Sequence, residues 1–317
     1  MAAPTDRRPM ADKAASRHPP RTIPGLALPR RLPDKSAFPA SRARLTDAPP
    51  PPIRQDNGQP PSAPRLAEDF VMGLRFFSRI PAGDAPHETP SLSRMAPAAP
   101  FVSLAIGFLP ALLTMVLCWL TVPPFFAAAM GVAAMVAITG AMPEDALADA
   151  ADGLFGGATV ERRLEIMKDS RHGTYGVAAI GLYLLLRVTA IGSIAAVNPL
   201  AAGAVMLAAS LLGRSASLWL SVALPPAREG GASVSVGRVT KRPFWIGAAF
   251  AAIFTLVLAG PFAGLAGVIL ALGAAVGVCA AWVWACRRLV GGQSGDLIGA
   301  LHALVEVAAL TALLVFG

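Results

Sequence analysis

Charge is what this sequence has least of. Only 15% of its 317 residues are Asp, Glu, Lys or Arg, while 55% are hydrophobic and the mean hydropathy is +0.58. A soluble globular domain carries roughly 25% charged residues. An ordinary water-soluble enzyme is therefore excluded, and a chain that crosses a bilayer several times is indicated. Cysteine is nearly missing too. Cys118, Cys279 and Cys286 lie in or beside apolar runs without metal-ligand spacing, so they give no sign of a thiolate metal centre or of disulfides and read as packing residues.

The formal charge of +8 suggests nucleic acid only until it is divided by region. Residues 1–65 hold 12 Lys+Arg against 5 Asp+Glu, whereas residues 66–317 hold 15 against 14. The excess belongs to a stretch with 15 prolines, Pro49 to Pro52 among them, and few aromatics. Such a composition cannot bury a core, and it lacks the apolar segment of a secretory signal. The expectation is a disordered Pro/Arg-rich tail over 1–65, a membrane-embedded domain over 66–317, and no nucleic-acid partner.

Seven apolar runs follow, at about 98–120, 124–142, 176–197, 200–224, 244–260, 262–285 and 297–316. Each is near the roughly 20 residues a helix needs to cross the hydrocarbon core. The connections at 121–123, 198–199 and 261 contain no Lys or Arg. The alternate ones carry Arg162, Arg163, Lys168 and Arg171; Arg228, Arg238, Lys241 and Arg242; and Arg287 and Arg288. Basic loops stay on the cytoplasmic side, which places the N-terminus inside and all the polar loops on one face. Ahead of the runs, Phe70, Leu74 and Phe77 share one side of a short amphipathic segment that reads as an interfacial helix or the start of a re-entrant element. The fold class expected is all-α: a polytopic integral membrane protein with about six to seven transmembrane helices plus interfacial and cytoplasmic helices.

The long charged segment between these runs is 143–176. As a helix it puts Asp145, Asp149 and Asp152 at i, i+4 and i+7, on one face. Like charges at that spacing repel, and a cation relieves them. Mg²⁺ is the candidate, a hard ion that takes oxygen ligands and holds substrate phosphates, with Glu144 as a further oxygen donor. Gly153, Gly156 and Gly157 then allow close backbone approach to phosphate. A second helix carries Glu161, Glu165 and Asp169 ahead of Arg171 and His172. Carboxylates for a metal, arginines for phosphate and glycines for close approach are the parts of a phosphoryl-transfer site. Within the apolar runs, Arg187, Arg214 and Glu306 fall near mid-span, where an ionised group costs about 2.5–3.5 kcal/mol by insertion scales. Glu306 is expected to neutralise one of the two arginines, and His302 reads as a satisfied buried imidazole.

Taken together these fragments resemble the cobalamin synthase family, whose members are adenosylcobinamide-GDP ribazoletransferases, over roughly residues 66–317. The family's Thr-Arg-Ile-Pro stands here as Ser78-Arg79-Ile80-Pro81. Its His-Glu-Asp-Gly-Leu-Ala-Asp-x-x-Asp-Gly stands as Pro143 through Gly153, and its Arg-x-x-Glu-Ile-Met-Lys-Asp-Ser-Arg-x-Gly-Thr-x-Gly as Arg162 through Gly176. Its Gly-Gly-Gln-Thr-Gly-Asp stands as Gly291 to Asp296, with Ser294 for Thr. Two positions depart: Pro143 replaces the motif's His and Ala146 its Gly. His172 is an unusual occupant of its slot and is not assumed to substitute for the missing imidazole.

The resemblance implies a reaction in which a ribose hydroxyl of α-ribazole, or of its 5′-phosphate, attacks adenosylcobinamide-GDP and displaces GMP. It implies Mg²⁺ on Asp145, Asp149 and Asp152, with Glu144 beside them. Asp169 is a candidate second-metal ligand or base, and Arg79, Lys168, Arg171, Arg228, Gln293 and Asp296 are expected to contact substrate. It also implies a multi-pass protein of the bacterial inner membrane with its site facing the cytoplasm, a homo-oligomer being allowed. Other membrane Mg²⁺-dependent transferases, of the CDP-alcohol phosphotransferase or prenyltransferase type, share the aspartate pattern. A transporter relaying charge through Arg187, Arg214 and Glu306 is a remoter alternative.

Overall fold

The computed structural model describes residues 66–83, 90–169, 171–228 and 236–316. The expected tail and the boundary at residue 65 lie outside them. Among the described residues the chain is helical, without strands, and one isolated bridge joins Pro226 to Gln293. The helices are α1 (Leu66–Phe77), α2 (Leu92–Met95), α3 (Ala99–Trp119), α4 (Pro124–Thr139), α5 (Met142–Gly156), α6 (Val160–Ile166), α7 (Thr174–Val197), α8 (Pro199–Ser217), α9 (Trp219–Ala223), α10 (Lys241–Leu289) and α11 (Gly295–Leu314).

Five stretches are long and apolar enough to cross a membrane: α3, α7, α8 with α9, α10, and α11. The bent pair α4 and α5 makes a sixth if taken as one broken span. At 1.5 Å per residue a straight α10 would run about 73 Å, more than twice the hydrocarbon thickness of about 30 Å. It does not run straight. Gly264 takes φ 65° and ψ 177°, a region that glycine alone occupies readily, and the helix breaks there. Near its start Gly247 lies against Ala96 at the entry to α3, near its middle Gly267 lies against Phe316 past the end of α11, and Leu289 at its end accepts a hydrogen bond from Arg163. The two halves therefore run in opposite directions and supply two passes. The expected turn at Pro261 comes three residues later, because the reversal needs a backbone conformation that proline cannot take.

α8 is the centre of the bundle: together with α9 it is mostly buried, whereas α3, α7 and α10 leave most of their surface open. Its Ala- and Gly-rich sequence lets neighbouring backbones come close, the usual basis of helix association in lipid. The outward faces of α3, α7 and α10 instead expose Phe108, Leu182, Val257 and Val276. Apolar surface of that kind belongs in a bilayer rather than in water. The apolar side of α1 packs onto the bundle. Phe70, Leu74 and Phe77 pack against the core, and its Asp69 is buried against Arg94 at 2.8 Å.

Candidate active site

The polar end of the bundle is organised by the abrupt exit from α4. Gly140 and Ala141 both take left-handed φ, 64° and 59°, and the chain turns through 85° into α5. For a residue with a Cβ, such as Ala141, that conformation costs about 1–2 kcal/mol. The bend is pinned by Arg79, whose N–H donates to the Ile138 carbonyl at 2.7 Å and whose side chain occupies the space a Cβ on Gly140 would need. Pro143 falls in the first turn of α5, where a missing N–H leaves nothing unpaired. Ala146 is accommodated because Gly299 of α11 has no Cβ; one placed there would run into Ala146.

Along α5 the four carboxylates take three different roles. Asp145 and Asp149 meet His172 from the loop before α7: its Nε2 lies 3.5 Å from Asp145 Oδ1 and its Nδ1 3.6 Å from Asp149 Oδ1. One donor atom from each of the three residues falls within 4.8 Å of the others, a grouping able to hold a metal ion. Asp152, expected in the same ligand set, is engaged elsewhere. Its Oδ2 accepts the Gly173 N–H at 2.6 Å and its Oδ1 the Gly176 N–H at 2.9 Å. These are unpaired donors at the start of α7, where a negative charge also meets the positive end of the helix dipole. The two glycines are required for this approach, since a Cβ on either would strike the Asp152 carboxylate. Glu144 corrects the expectation more sharply: it is buried and bound to Arg187 Nη1 at 3.0 Å, away from Asp145.

Asp169 and Arg171 form a fork on the exposed loop after α6, with Nε to Oδ1 at 3.0 Å, Nη2 to Oδ2 at 2.7 Å, and the Arg171 N–H to Oδ1 at 3.1 Å. The Arg171 side-chain hydrogen bonds hold the Asp169 carboxyl down to about 2, so it stays ionised and is a weak base. Asp152, Asp169, Arg171, Gly173, Thr174 and Tyr175 line an open groove. Lys168 is exposed and borders an adjoining depression with Arg162 and Glu165.

The profile of the cobalamin-5-phosphate synthase family matches residues 69–314. This chain belongs to that family. Among similar curated proteins, each named adenosylcobinamide-GDP ribazoletransferase, the one from Azorhizobium caulinodans is 39% identical over 256 residues, covering 80% of this chain and 97% of its own length. That from a Sinorhizobium species is 41% identical over 256 residues, covering 78% and 96%, and that from Xanthobacter autotrophicus is 40% identical over 264 residues, covering 80% and 97%. No solved structure matches the chain.

In this member of the cobalamin-5-phosphate synthase family the remaining candidates converge from the loops after α9 and α10. The backbone of Gln293 exchanges hydrogen bonds with Pro225 and Ala227, at 2.8 and 2.9 Å. Its side chain is fully buried, yet among the described residues neither amide atom has a partner. Arg228 reaches the Leu164 carbonyl at 3.3 Å, and Asp296 lies within electrostatic reach of Arg228, Asp145 and Asp149. Of the loop after α9, residues 229–235 lie outside the described residues. The site residue that reading the chain passed over is His172. Its place directly after Arg171 in the second motif was the available signal, but only folding shows that it meets both aspartates.

Proposed function

We propose that the chain is an adenosylcobinamide-GDP ribazoletransferase. It joins adenosylcobinamide-GDP to α-ribazole or α-ribazole 5′-phosphate, releases GMP, and so forms adenosylcobalamin or its 5′-phosphate. The observation that carries this reading is the Asp145, Asp149 and His172 group, at the mouth of the polar end of a chain whose family match spans 69–314. Two carboxylates in one small group suit Mg²⁺, which is bound by one or two carboxylates while keeping waters and substrate phosphates. Asp145 and Asp149 would hold it. When bound, the ion supplies charge neutralisation on the diphosphate and the departing GMP.

The chain's own residues account for the other requirements. Arg171, held in its fork by Asp169, and the exposed Lys168 and Arg79 supply positive charge for phosphate oxygens. Gln293, with both amide atoms unpaired, and Arg228 and Asp296 close the site from the opposite loops and contact the substrates' polar groups. The ribose hydroxyl attacks the phosphorus bonded to cobinamide. As the new O–P bond forms, the bond to GMP breaks and its electron pair leaves with GMP. The hydroxyl proton goes to His172, the one member of the group that is not a carboxylate and a side chain type commonly used for proton transfer. All these residues come from one chain, so a homo-oligomer is not required. The Lys and Arg of the loops at this end support a site on the cytoplasmic side of the bacterial inner membrane, since basic loops are retained there.

The test is GMP release by purified protein from adenosylcobinamide-GDP and α-ribazole 5′-phosphate, with and without Mg²⁺. Release that depends on both the acceptor and Mg²⁺ is expected. No GMP from the wild type overturns the assignment, and release with an alcohol lipid as acceptor would point to the CDP-alcohol class instead.

A further inference from the structure

Directly behind the acidic face lies a buried array of charge that the reaction does not use. Arg187 of α7 lies between Glu144 of α5, Nη1 to Oε1 at 3.0 Å, and Glu306 of α11, Nη2 to Oε1 at 3.2 Å. All three side chains are 6% exposed or less. The second contact is an ion pair. The Arg187 guanidinium also lies over the Tyr183 ring, 4.9 Å from its centroid, and Tyr183 donates its hydroxyl to Glu306 Oε2 at 2.7 Å. His302 Nε2 lies 3.4 Å from the same oxygen. Arg214 of α8, equally buried, donates to Ser103 Oγ at 2.8 Å and faces the Phe77 ring; among the described residues it makes no hydrogen bond or ion pair to α5, its charge acting on Glu144 and Glu306 only from a distance. Two carboxylates and two guanidiniums make the array neutral overall, the condition for burying charge inside a bundle.

One member of this array reaches the site. Glu144 is the residue before Asp145, in the first turn of α5, just after the strained bend at Gly140 and Ala141. We propose that Arg187 is a positioning residue for the metal-holding aspartates. By clamping Glu144 between α7 and α11 it fixes the rotation of α5, and with it the direction in which Asp145 and Asp149 meet His172. No part of Arg187 touches substrate. The inference rests on the metal reading above and extends it to a residue in the membrane interior. Removing groups that orient metal ligands commonly costs about 10- to 100-fold in metal affinity.

The test measures Mn²⁺ binding to the full chain in detergent by electron paramagnetic resonance, together with thermal unfolding. Arg187→Met is expected to raise the Mn²⁺ Kd about tenfold or more. Arg187→Lys, which keeps a positive charge between the two carboxylates, is expected to recover part of that loss. Arg214→Met is expected to lower thermal stability while leaving the Kd unchanged. Glu144→Leu, which removes the acceptor that Arg187 grips, is expected to raise the Kd even if Arg187→Met does not fold. A Kd that moves only in step with stability, and equally for Arg187 and Arg214, overturns the proposal and leaves the metal site standing. A wild type that releases GMP but binds no Mn²⁺ overturns the metal reading and this inference with it.

Discussion

Glu144 and Asp145 are neighbours in the chain with opposite fates. The Glu144 side chain is 6% exposed and locked to Arg187, while that of Asp145 is 64% exposed and open to solvent beside His172. Consecutive residues on a helix point about 100° apart, so one turn of α5 serves both the membrane interior and the polar mouth. The interior charges are paired because the bundle interior offers them nothing else; the mouth can leave two aspartates underneutralised because water can reach them. The lesson is that a carboxylate's role here follows from which side of α5 it leaves, not from its membership of an acidic motif.

The sharpest way to break this comparison is to remove the interior cation. Arg187→Met strands Glu144 and Glu306 together in the bundle, and truncating one partner of a buried ion pair typically costs about 3–5 kcal/mol. Unfolding in detergent should show that loss, and an unchanged midpoint would mean that the two carboxylates are already neutral. At the mouth the same kind of removal should leave folding intact and slow the chemistry. Asp149→Ala is expected to lower the rate of GMP release by about 10²–10³, the scale of losing one charge-stabilising group, with a thermal midpoint no lower than that of wild type. A normal rate would remove Asp149 from the site.

Asp152 lies between the two regimes. Because both its oxygens bind the start of α7, Asp152→Ala should destabilise the protein by about 1–2 kcal/mol. If Asp152→Ala instead keeps full stability and loses Mn²⁺ binding, the capping role is wrong and the expected metal role returns. The smallest effect belongs to Asp169. Its carboxyl is held down to about 2 by the hydrogen bonds from Arg171, so whatever the pair contributes is fully present above the ordinary carboxylate pKa of about 4. It is lost only as pH falls through about 2. Asp169→Asn and wild type should therefore show parallel stability profiles between pH 5 and pH 8, with divergence confined to strongly acidic conditions.

The membrane-spanning character, the helices near their final bounds, the family and the acidic segment were all legible in the residues, since apolar runs and short motifs are local properties. The reversal in α10 was legible as to its existence but not its position, because Pro261 is the stronger punctuation in sequence and Gly264 the better backbone for the turn. The i, i+4, i+7 spacing brought Asp145, Asp149 and Asp152 to one face. It could not show that the last would be claimed by Gly173 and Gly176. The expectation that Glu306 neutralises one arginine holds for Arg187, but the second carboxylate on that arginine, Glu144, was hidden within a motif that read as metal-binding.

By itself, then, the sequence determined an all-helical membrane protein of the cobalamin-5-phosphate synthase family with its polar chemistry gathered in alternate loops. Composition, hydropathy and motif order need no three-dimensional contact to be read. Only the tertiary structure decided which carboxylates gather around His172, which cap a helix and which stay buried. Their partners, His172, Gly173, Gly176 and Arg187, come from later parts of the chain, and a side chain's charge is put to use by whatever the fold sets opposite it.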